Sequence, residues 1–232
     1  MISDMPQTVN TLYVVATPIG NLSDITLRAL EILRSVDYVA CEDTRVAKKL
    51  LNHHKISKPL LSFHHHSPEK KFSEIADLLK QGKSIALASD AGTPGISDPG
   101  GRLIEYLIKE PGNSVKICPI PGPAAFAAAL SVSGFPAEEF AFFGFPPHKK
   151  GRQTFFKRVA QIKNTVVFYE SPHRILKALE LLKSECPQRP IVICRELTKI
   201  YEETVRGAAE EILQYYQAYP EKVRGEFVVV LG

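Results

Sequence analysis

The chain has 232 residues, a net charge of +4 at neutral pH and a hydrophobic content of 44%, which is enough for one large domain or two small ones with a sizeable core. Its N-terminal residues lack the basic and apolar segments of a signal peptide, and no apolar run reaches the length of a membrane helix. We therefore expect a cytoplasmic protein without a membrane partner. Its four cysteines form no Cys-x-x-Cys pair, and we expect them to be buried thiols.

Apolar, strand-like runs alternate with helical patterns along the first half of the chain. Strands are predicted over 12–16, 36–41, 60–63, 84–88 and 115–118. Helices are predicted over 25–36, 44–53, 72–80 and 102–108. Asp24 is predicted to cap the first of these helices, because a carboxylate accepts hydrogen bonds from the free amides of a first turn. This alternation predicts a parallel sheet that is covered on both faces.

A second α/β series follows a change in pattern near residue 137. Its strands are predicted over 140–143, 165–169, 191–194 and 227–231. Its helices are predicted over 155–162, 175–183 and 208–216. The economical interpretation is two α/β domains, residues 1–122 and 123–232.

Four of the 14 glycines fall within residues 89–101, between a predicted strand and a predicted helix. Such a cluster marks tight turns or a backbone that approaches a ligand closely, and α/β proteins bind ligands at strand-to-helix turns. A long surface loop is the alternative. The turn after the first strand, residues 16–24, lacks Gly-x-Gly-x-x-Gly, and the sequence contains no complete Walker motif, Gly-x-x-x-x-Gly-Lys-Ser/Thr. These absences disfavour a dinucleotide dehydrogenase, a P-loop NTPase and a glycine-rich Rossmann methyltransferase.

Other predicted strands also end in residues suited to a site. Pro123 is predicted as an early helix residue, and the free amides of that helix start could hold a carboxylate or a phosphate. Close helix packing through alanine is the alternative. Residues 41–45, 168–174 and 195–199 end three strands in mixed charges, which is the pattern of a site at the carboxyl edge of a sheet. Glu–Arg pairs that cap helices would give the same pattern.

Two further clusters concern metal ions and nucleic acid. His64 and His66 would share one side of an extended chain, but no cysteine or carboxylate neighbour completes a tetrahedral set. We therefore predict that no metal is bound and that the histidines form a solvated or substrate-facing cluster.

Residues 140–169 contain no acid but six lysines and arginines, with two phenylalanines among them. That composition suits a track for nucleic-acid phosphates, and a solvated basic helix face is the alternative.

Seven motifs together resemble those of the tetrapyrrole methylase superfamily, and within it the bacterial branch that methylates small-subunit ribosomal RNA on a ribose 2′-hydroxyl. They lie at 15–26, 41–45, 89–100, 121–125, 168–174, 195–199 and 224–228, and the match runs from about residue 11 to 232. The resemblance implies an N-terminal domain with a mainly parallel sheet, a C-terminal domain with a mixed sheet, and S-adenosylmethionine in the cleft between them. It also implies a homodimer and, as the acceptor, a decoding-centre cytidine of 16S rRNA.

The resemblance further implies site residues. The implied cofactor contacts are Pro18, Ile19, Asp90, Ala91, Gly92, Thr93, Pro94, Ile96, Ser97, Pro121, Gly122, Pro123, Ala124, Ala125, Phe168 and Tyr169. A ribose hydroxyl is a poor nucleophile that needs a base or a hydrogen-bond acceptor. The candidates for that role are Glu42, Asp43 and Glu170, with Asp98 behind them. The candidates for binding the RNA are Asn21, Arg45, His64, Lys149, Lys150, Arg152, Arg174 and Arg195, whose arginines would hold phosphates through their planar forks.

Two other functions stay open at this point. One is methylation of a corrin precursor by another branch of the same superfamily, against which the acid-free basic stretch argues. The other is a catalytically idle RNA-binding module. Binding of S-adenosylmethionine would separate an enzyme from such a module, and transfer of a labelled methyl group to RNA or to a tetrapyrrole would separate the two enzymes.

Overall fold

The structure is a computed structural model that describes residues 10–64, 67, 69–110 and 114–232. The chain divides into two compact units between Ala124 and Ala125. The strands are β1 (Thr11–Val15), β2 (Tyr38–Cys41), β3 (Leu60–Ser62), β4 (Ile85–Ala88), β5 (Lys116–Ile120), β6 (Phe140–Phe142), β7 (Thr165–Glu170), β8 (Ile191–Arg195), β9 (Glu203–Gly207) and β10 (Phe227–Leu231). The helices are α1 (Leu27–Ser35), α2 (Thr44–His53), α3 (Glu69–Lys80), α4 (Gly100–Lys109), α5 (Ala125–Ser133), α6 (Arg152–Gln161), α7 (Ile175–Glu185) and α8 (Ala209–Ala218).

The first unit is built on a parallel sheet, in the strand order β3-β2-β4-β1-β5. Apolar residues of α1 and α2, such as Ile32 and Leu50, form a core on one face of the sheet. Residues of α3 and α4, such as Phe72 and Leu103, form a core on the other face. All four residues of β4 are buried, because a strand covered on both faces has no side turned to water. The predicted parallel sheet is confirmed.

The second unit is built on a mixed sheet, in the order β6-β7-β10-β8-β9. The β6–β7 pair is parallel and the other three pairs are antiparallel, so the predicted mixed sheet is confirmed. Helices α6, α7 and α8 pack on one face, and α5 packs on the other. Successive side chains of a strand point to opposite faces. Phe168 and Glu170 of β7 are therefore on the side of α6 to α8, whereas Tyr169 is on the side of α5.

Several predicted boundaries are wrong, for local reasons. Helix α1 begins at Leu27, and its N-cap is Thr26, whose hydroxyl accepts the N–H of Ala29 at 3.1 Å. Asp24 instead belongs to a short 3₁₀ turn that precedes this cap. Helix α5 begins at Ala125, so Pro123 lies in the turn before the helix rather than inside it. The apolar pattern does not predict strand β9, because an edge strand of mixed polar and charged residues carries no apolar run.

The cysteines match their prediction in part. Cys41 and Cys194 are buried, whereas Cys118 and Cys186 are half-buried, and all four are free thiols. Burial raises the pKa of Cys41 to about 11, so this thiol stays protonated at neutral pH. None of the helices in the described part of the chain combines the length and apolarity that crossing a membrane requires.

Candidate active site at the carboxyl edge of the parallel sheet

The loops that follow β1, β4 and β5 are hydrogen-bonded to one another at the carboxyl edge of the parallel sheet. Thr17 and Gly92 form a two-way backbone bridge, with N–O distances of 2.9 and 3.1 Å. The Thr17 hydroxyl also donates to the carbonyl of Ser89 at 3.0 Å. The Thr93 hydroxyl donates to the carbonyl of Pro123 at 3.1 Å. These three strands are neighbours in the order β4-β1-β5, so their loops meet at one place, as parallel strands require.

Small residues allow these loops to approach so closely. Gly92 has φ +83°, and a Cβ built there would lie 3.4 Å from Cγ2 of Ile19 and 3.6 Å from the carbonyl oxygen of Pro123. A Cβ on Gly122 would lie 3.0 Å from the Cβ of Ala16. The glycines that mark this region in the sequence are therefore needed for contact between loops as well as for turn geometry.

The rest of the glycine-rich loop is fixed by Asp98. Its Oδ1 accepts the N–H of Gly95 at 2.6 Å and the N–H of Gly100 at 2.8 Å, so the loop folds back on the start of α4. Ser97, between these two bonds, has the left-handed φ of +62°, which is unusual for a residue other than glycine. Asp98 thus shapes the loop, which accounts for its position without a role in proton transfer.

This edge offers a rigid surface with one carboxylate. Ala91, Ile96 and Pro121 are exposed there, so the loops leave an accessible apolar surface above their hydrogen-bonded bases. Oδ1 of Asp90 accepts the N–H of Asp43 at 3.1 Å. Burial, with the nearby carboxylates of Asp43 and Asp98, raises the pKa of Asp90 above its ordinary value. An apolar surface bordered by backbone groups and a carboxylate fits a nucleoside, whose ribose hydroxyls are commonly held by an acidic side chain.

The two acids that follow β2 are in different environments. Asp43 is the N-cap of α2 and holds the guanidinium of Arg45 through both carboxylate oxygens, at 3.0 and 2.6 Å. The hydrogen bonds with Arg45 lower the pKa of Asp43 to about 2, which makes Asp43 a weak base. Glu42 is half-buried and lines a small cavity beside Phe63 and Ser89. The end of β4, the glycine-rich loop and the first residue of α4 form the rest of its wall. Of these two acids, the geometry favours Glu42 as an acceptor.

Glu170, the third candidate base, is locked in a buried ion-pair network. Its side chain has no exposed surface, and its carboxylate lies 2.6 Å from Nη2 of Arg152 and 3.0 Å from Nε of Arg174. It also accepts the N–H of Ser171 at 2.8 Å. A carboxylate enclosed by these partners has no access to a substrate. The structure therefore argues against Glu170 as a base.

Three of the arginines predicted to bind RNA also face carboxylates of the protein. Arg152 is buried, and besides Glu170 its guanidinium donates to the carbonyl of Pro147 at 3.2 Å. Arg174 donates to the hydroxyl of Ser171 at 2.9 Å. Arg195 is buried and faces Glu203, across the pair of β8 and β9, at 3.4 Å. Each guanidinium is largely buried and faces a carboxylate of the protein, so these geometries do not favour phosphate binding by any of the three.

Phe168 and Tyr169 also differ from each other in access. Phe168 is fully buried and packs edge-on against Phe155 and Phe156 in the core below α6, so its side chain cannot contact a cofactor. Tyr169 is half-buried on the opposite face, where its hydroxyl accepts the N–H of Phe126, in the first turn of α5, at 3.3 Å. Tyr169 thus keeps a candidate role that Phe168 loses.

The remaining candidates for RNA binding lie on the surface. Asn21, His64, Lys149 and Lys150 are exposed. Asn21 caps the 3₁₀ turn after β1 by accepting the N–H of Ser23 at 3.0 Å. Within the residues that the structure describes, no three potential ligands converge on a metal position. His65 and His66 lie outside the described residues.

The sequence interpretation missed Thr17, whose backbone and hydroxyl join the loops after β1 and β4. A hydroxyl residue directly after the first strand is the signal that could have identified it.

Comparison with known proteins identifies the family. The family model described as Tetrapyrrole (Corrin/Porphyrin) Methylases matches residues 11–213. The chain belongs to the tetrapyrrole methylase family. This methylase is 46% identical over 222 residues to a protein of Halalkalibacterium halodurans named ribosomal RNA small subunit methyltransferase I, a match that covers 95% of the chain and 75% of that relative. It is 44% identical to the protein of the same name from Thermotoga maritima, over 95% of the chain and 97% of the relative.

A solved structure has the same fold. The uroporphyrin-III C-methyltransferase of Thermus thermophilus, in complex with S-adenosyl homocysteine, superposes on this methylase with a TM-score of 0.65 at 19% identity, over 96% of the chain and 97% of that structure. At this identity the superposition establishes the fold, and the two α/β units with a parallel and a mixed sheet are that fold. The expected superfamily and its architecture are confirmed.

Proposed function

We propose that this methyltransferase transfers the methyl group of S-adenosylmethionine to the ribose 2′-hydroxyl of a decoding-centre cytidine in 16S rRNA. The observation that carries the proposal is the identity of 42–46% with relatives named ribosomal RNA small subunit methyltransferase I, across nearly the whole chain. Fold alone would not distinguish this acceptor from a tetrapyrrole, because related folds host different reactions.

S-adenosylmethionine, when bound, supplies an electrophilic methyl group on its sulfonium sulfur. We propose that the joined loops hold the adenosyl group, with Asp90 facing the ribose hydroxyls and the exposed Ala91, Ile96 and Pro121 facing the apolar parts. The loops fit this role because they are rigid and present exposed backbone at the sheet edge. Gly92, Thr93, Ser97 and residues 122–124 complete the proposed contacts, and the buried Pro18, Ile19 and Pro94 support them.

In the reaction, the 2′-oxygen forms a bond to the methyl carbon as the carbon–sulfur bond breaks, and the hydroxyl proton passes to a base. We propose Glu42 as that base, because this half-buried residue lines the small cavity beside Ser89 at the end of β4. Alignment of the reacting atoms is expected to supply roughly 7–11 kcal/mol. Proton removal adds a factor of about 10²–10⁴.

We propose that exposed Lys149 and Lys150 contact the RNA phosphates, together with Arg45, His64 and Asn21. Lys149 and Lys150 lie in the loop that Arg152 fixes through the carbonyl of Pro147, so the buried network positions them. A homodimer acting in the cytoplasm completes the proposal, and light scattering tests the dimer.

The test is transfer of a labelled methyl group to small-subunit RNA and, in parallel, to uroporphyrinogen III. The expected result is one label per RNA, in a nucleotide that resists alkaline hydrolysis on its 3′ side, and none in the tetrapyrrole. Label in the tetrapyrrole alone would overturn the proposal. Calorimetry with S-adenosylmethionine checks the idle-module alternative, which predicts no heat of binding.

The base is tested by Glu42→Gln, with Asp43→Asn as the matched variant at the adjacent position. We expect Glu42→Gln to lower kcat at least 100-fold with little change in S-adenosylmethionine affinity. If Asp43→Asn alone gives that loss, the base is Asp43.

A further inference from the structure

The outward face of helix α2 carries Arg45 and further basic residues to which the proposed function gives no role. Arg45, Lys48, Lys49, Asn52 and His53 are exposed and, with Leu22, line an open surface groove of about 640 Å³. Positions 45, 49 and 53 follow one another at four-residue steps, and 48 and 52 form the adjacent row, so the side chains share a face. The opposite face of α2 is buried through Ala47, Leu50 and Leu51.

No acidic residue occurs in the sequence from position 44 to 68, which contains five lysines and arginines and five of the seven histidines. The other lysine-bearing helices of this unit are balanced by acids. Lys71 pairs with Glu74 on α3 at 2.8 Å, and Lys109 pairs with Glu105 on α4. In the described part of the chain, Lys48 and Lys49 form no ion pair. A face that keeps unpaired like charges together attracts an anionic partner.

The position of α2 connects this face to the candidate active site. The helix starts at Asp43, whose N–H donates to Asp90 in the glycine-rich loop at 3.1 Å. Asp43 also orients Arg45, the first cation of the row. From Arg45 to His53 the helix rises about 12 Å, so the row leads away from the loop edge and can follow several phosphates of one strand.

We propose that this face of α2, defined by Arg45, Lys48, Lys49, Asn52 and His53, binds the phosphate backbone of the RNA strand that flanks the methylated nucleotide. The lysines act there as point charges. Arg45 is 89% exposed and keeps guanidinium N–H groups beyond those that Asp43 holds. The groove contains no acid and one apolar wall residue, so its chemistry fits a backbone polyanion better than a folded protein surface. Such contacts fix the register of the strand without reading its bases. This inference rests on the proposed function.

The test is the double variant Lys48→Ala/Lys49→Ala, with Lys70→Ala/Lys71→Ala on α3 as the matched control. Both variants remove two adjacent exposed lysines and the same charge, but the control removes them from a face that also carries Glu69 and Glu74. Affinity for protein-free small-subunit RNA is measured from 0.05 to 0.3 M salt, together with KM for that RNA and for assembled small subunits.

Loss of two phosphate contacts is expected to reduce the slope of log K against log salt by about 1.4–1.8 and to weaken binding roughly 25- to 60-fold at 0.1 M salt. KM should rise similarly, while S-adenosylmethionine affinity and the melting temperature stay at the control's values. Equal slopes for variant and control would overturn the inference, provided that the wild type methylates the RNA. Absence of RNA methylation by the wild type would instead refute the proposed function. A loss seen only with assembled subunits would assign the face to a ribosomal protein and also overturn it.

Discussion

Glu170 is expected to hold the second unit together rather than to move a proton, and the substitution Glu170→Gln tests this. The carboxylate makes its three contacts, with Arg152, Arg174 and Ser171, with no exposed surface of its own. The two guanidinium groups are only 10% and 14% exposed, so they would lose their counter-ion without gaining water. Breaking a buried pair in this way typically costs about 3–5 kcal/mol.

For a chain of this length each kcal/mol lowers the melting temperature by about 2–4 °C, which gives a decrease of roughly 6–20 °C. Thermal unfolding followed by fluorescence or calorimetry measures it, and methyl transfer well below the new melting temperature is expected to stay within about tenfold of the wild type. Glu105→Gln is the control, because its partner Lys109 is on the surface and exposed pairs contribute little.

The triple variant Glu170→Leu/Arg152→Met/Arg174→Met is expected to regain much of the lost stability, since apolar side chains of similar volume often replace a whole buried ionic network without cost. Suppose instead that Glu170→Gln leaves the melting temperature unchanged and slows methyl transfer at least 100-fold. That result would refute the reasoning and return Glu170 to the role of base.

Three further predictions concern the loop edge. Gly92→Ala and Gly134→Ala, which share a positive φ, should each lose roughly 1–2 kcal/mol of stability, but only Gly92→Ala should weaken S-adenosylmethionine binding in calorimetry. The pKa of Asp90 is raised by burial, so its charged form destabilises the fold as pH rises; Asp90→Asn should raise the melting temperature at pH 7 but not at pH 3, while weakening cofactor binding. Arg45 lowers the pKa of Asp43 to about 2, so the Asp43 carboxylate stabilises the fold fully above its ordinary pKa of 3.8 and loses this effect as pH falls through 2. The difference in melting temperature between wild type and Asp43→Asn should therefore shrink from pH 4 to pH 2.

The sequence predicted the parts of the fold that depend on apolar pattern and backbone chemistry. Runs such as 84–88 are buried on both faces of a sheet, and their continuous apolarity is readable without a structure. The glycines and prolines of the loops predicted a site at the carboxyl edge of the sheet. They could do so because few residues other than glycine tolerate a positive φ or a contact as close as that of Gly122 with Ala16. Edge strand β9 escapes prediction because its side chains are polar.

The roles of charged residues could not be predicted in the same way. Glu170 and Arg195 follow apolar strands, as a catalytic edge would require, but the partner of each lies on another element, Arg152 on α6 and Glu203 on β9. The sequence shows that a charged residue ends a strand, but it does not show whether another helix or strand buries that residue. Asp43 and Glu42 show the same limit at adjacent positions: the structure makes Asp43 the cap of α2 and places Glu42 on a small cavity, and the sequence alone distinguishes neither.

If the proposed cofactor site is correct, we expect the specificity for the acceptor to come from residues outside it. The loop edge proposed for the cofactor is made mainly of backbone and small side chains, and the fold is shared with a solved methyltransferase whose name specifies a porphyrin acceptor. A site of that kind can hold one cofactor for many acceptors, so the choice of acceptor has to come from side chains outside it. The exposed cations of α2 and of the loop at Lys149 and Lys150 are outside it and suit a polyanion. If neutralising both groups left RNA methylation intact, specificity would have to come from the shape of the pocket instead.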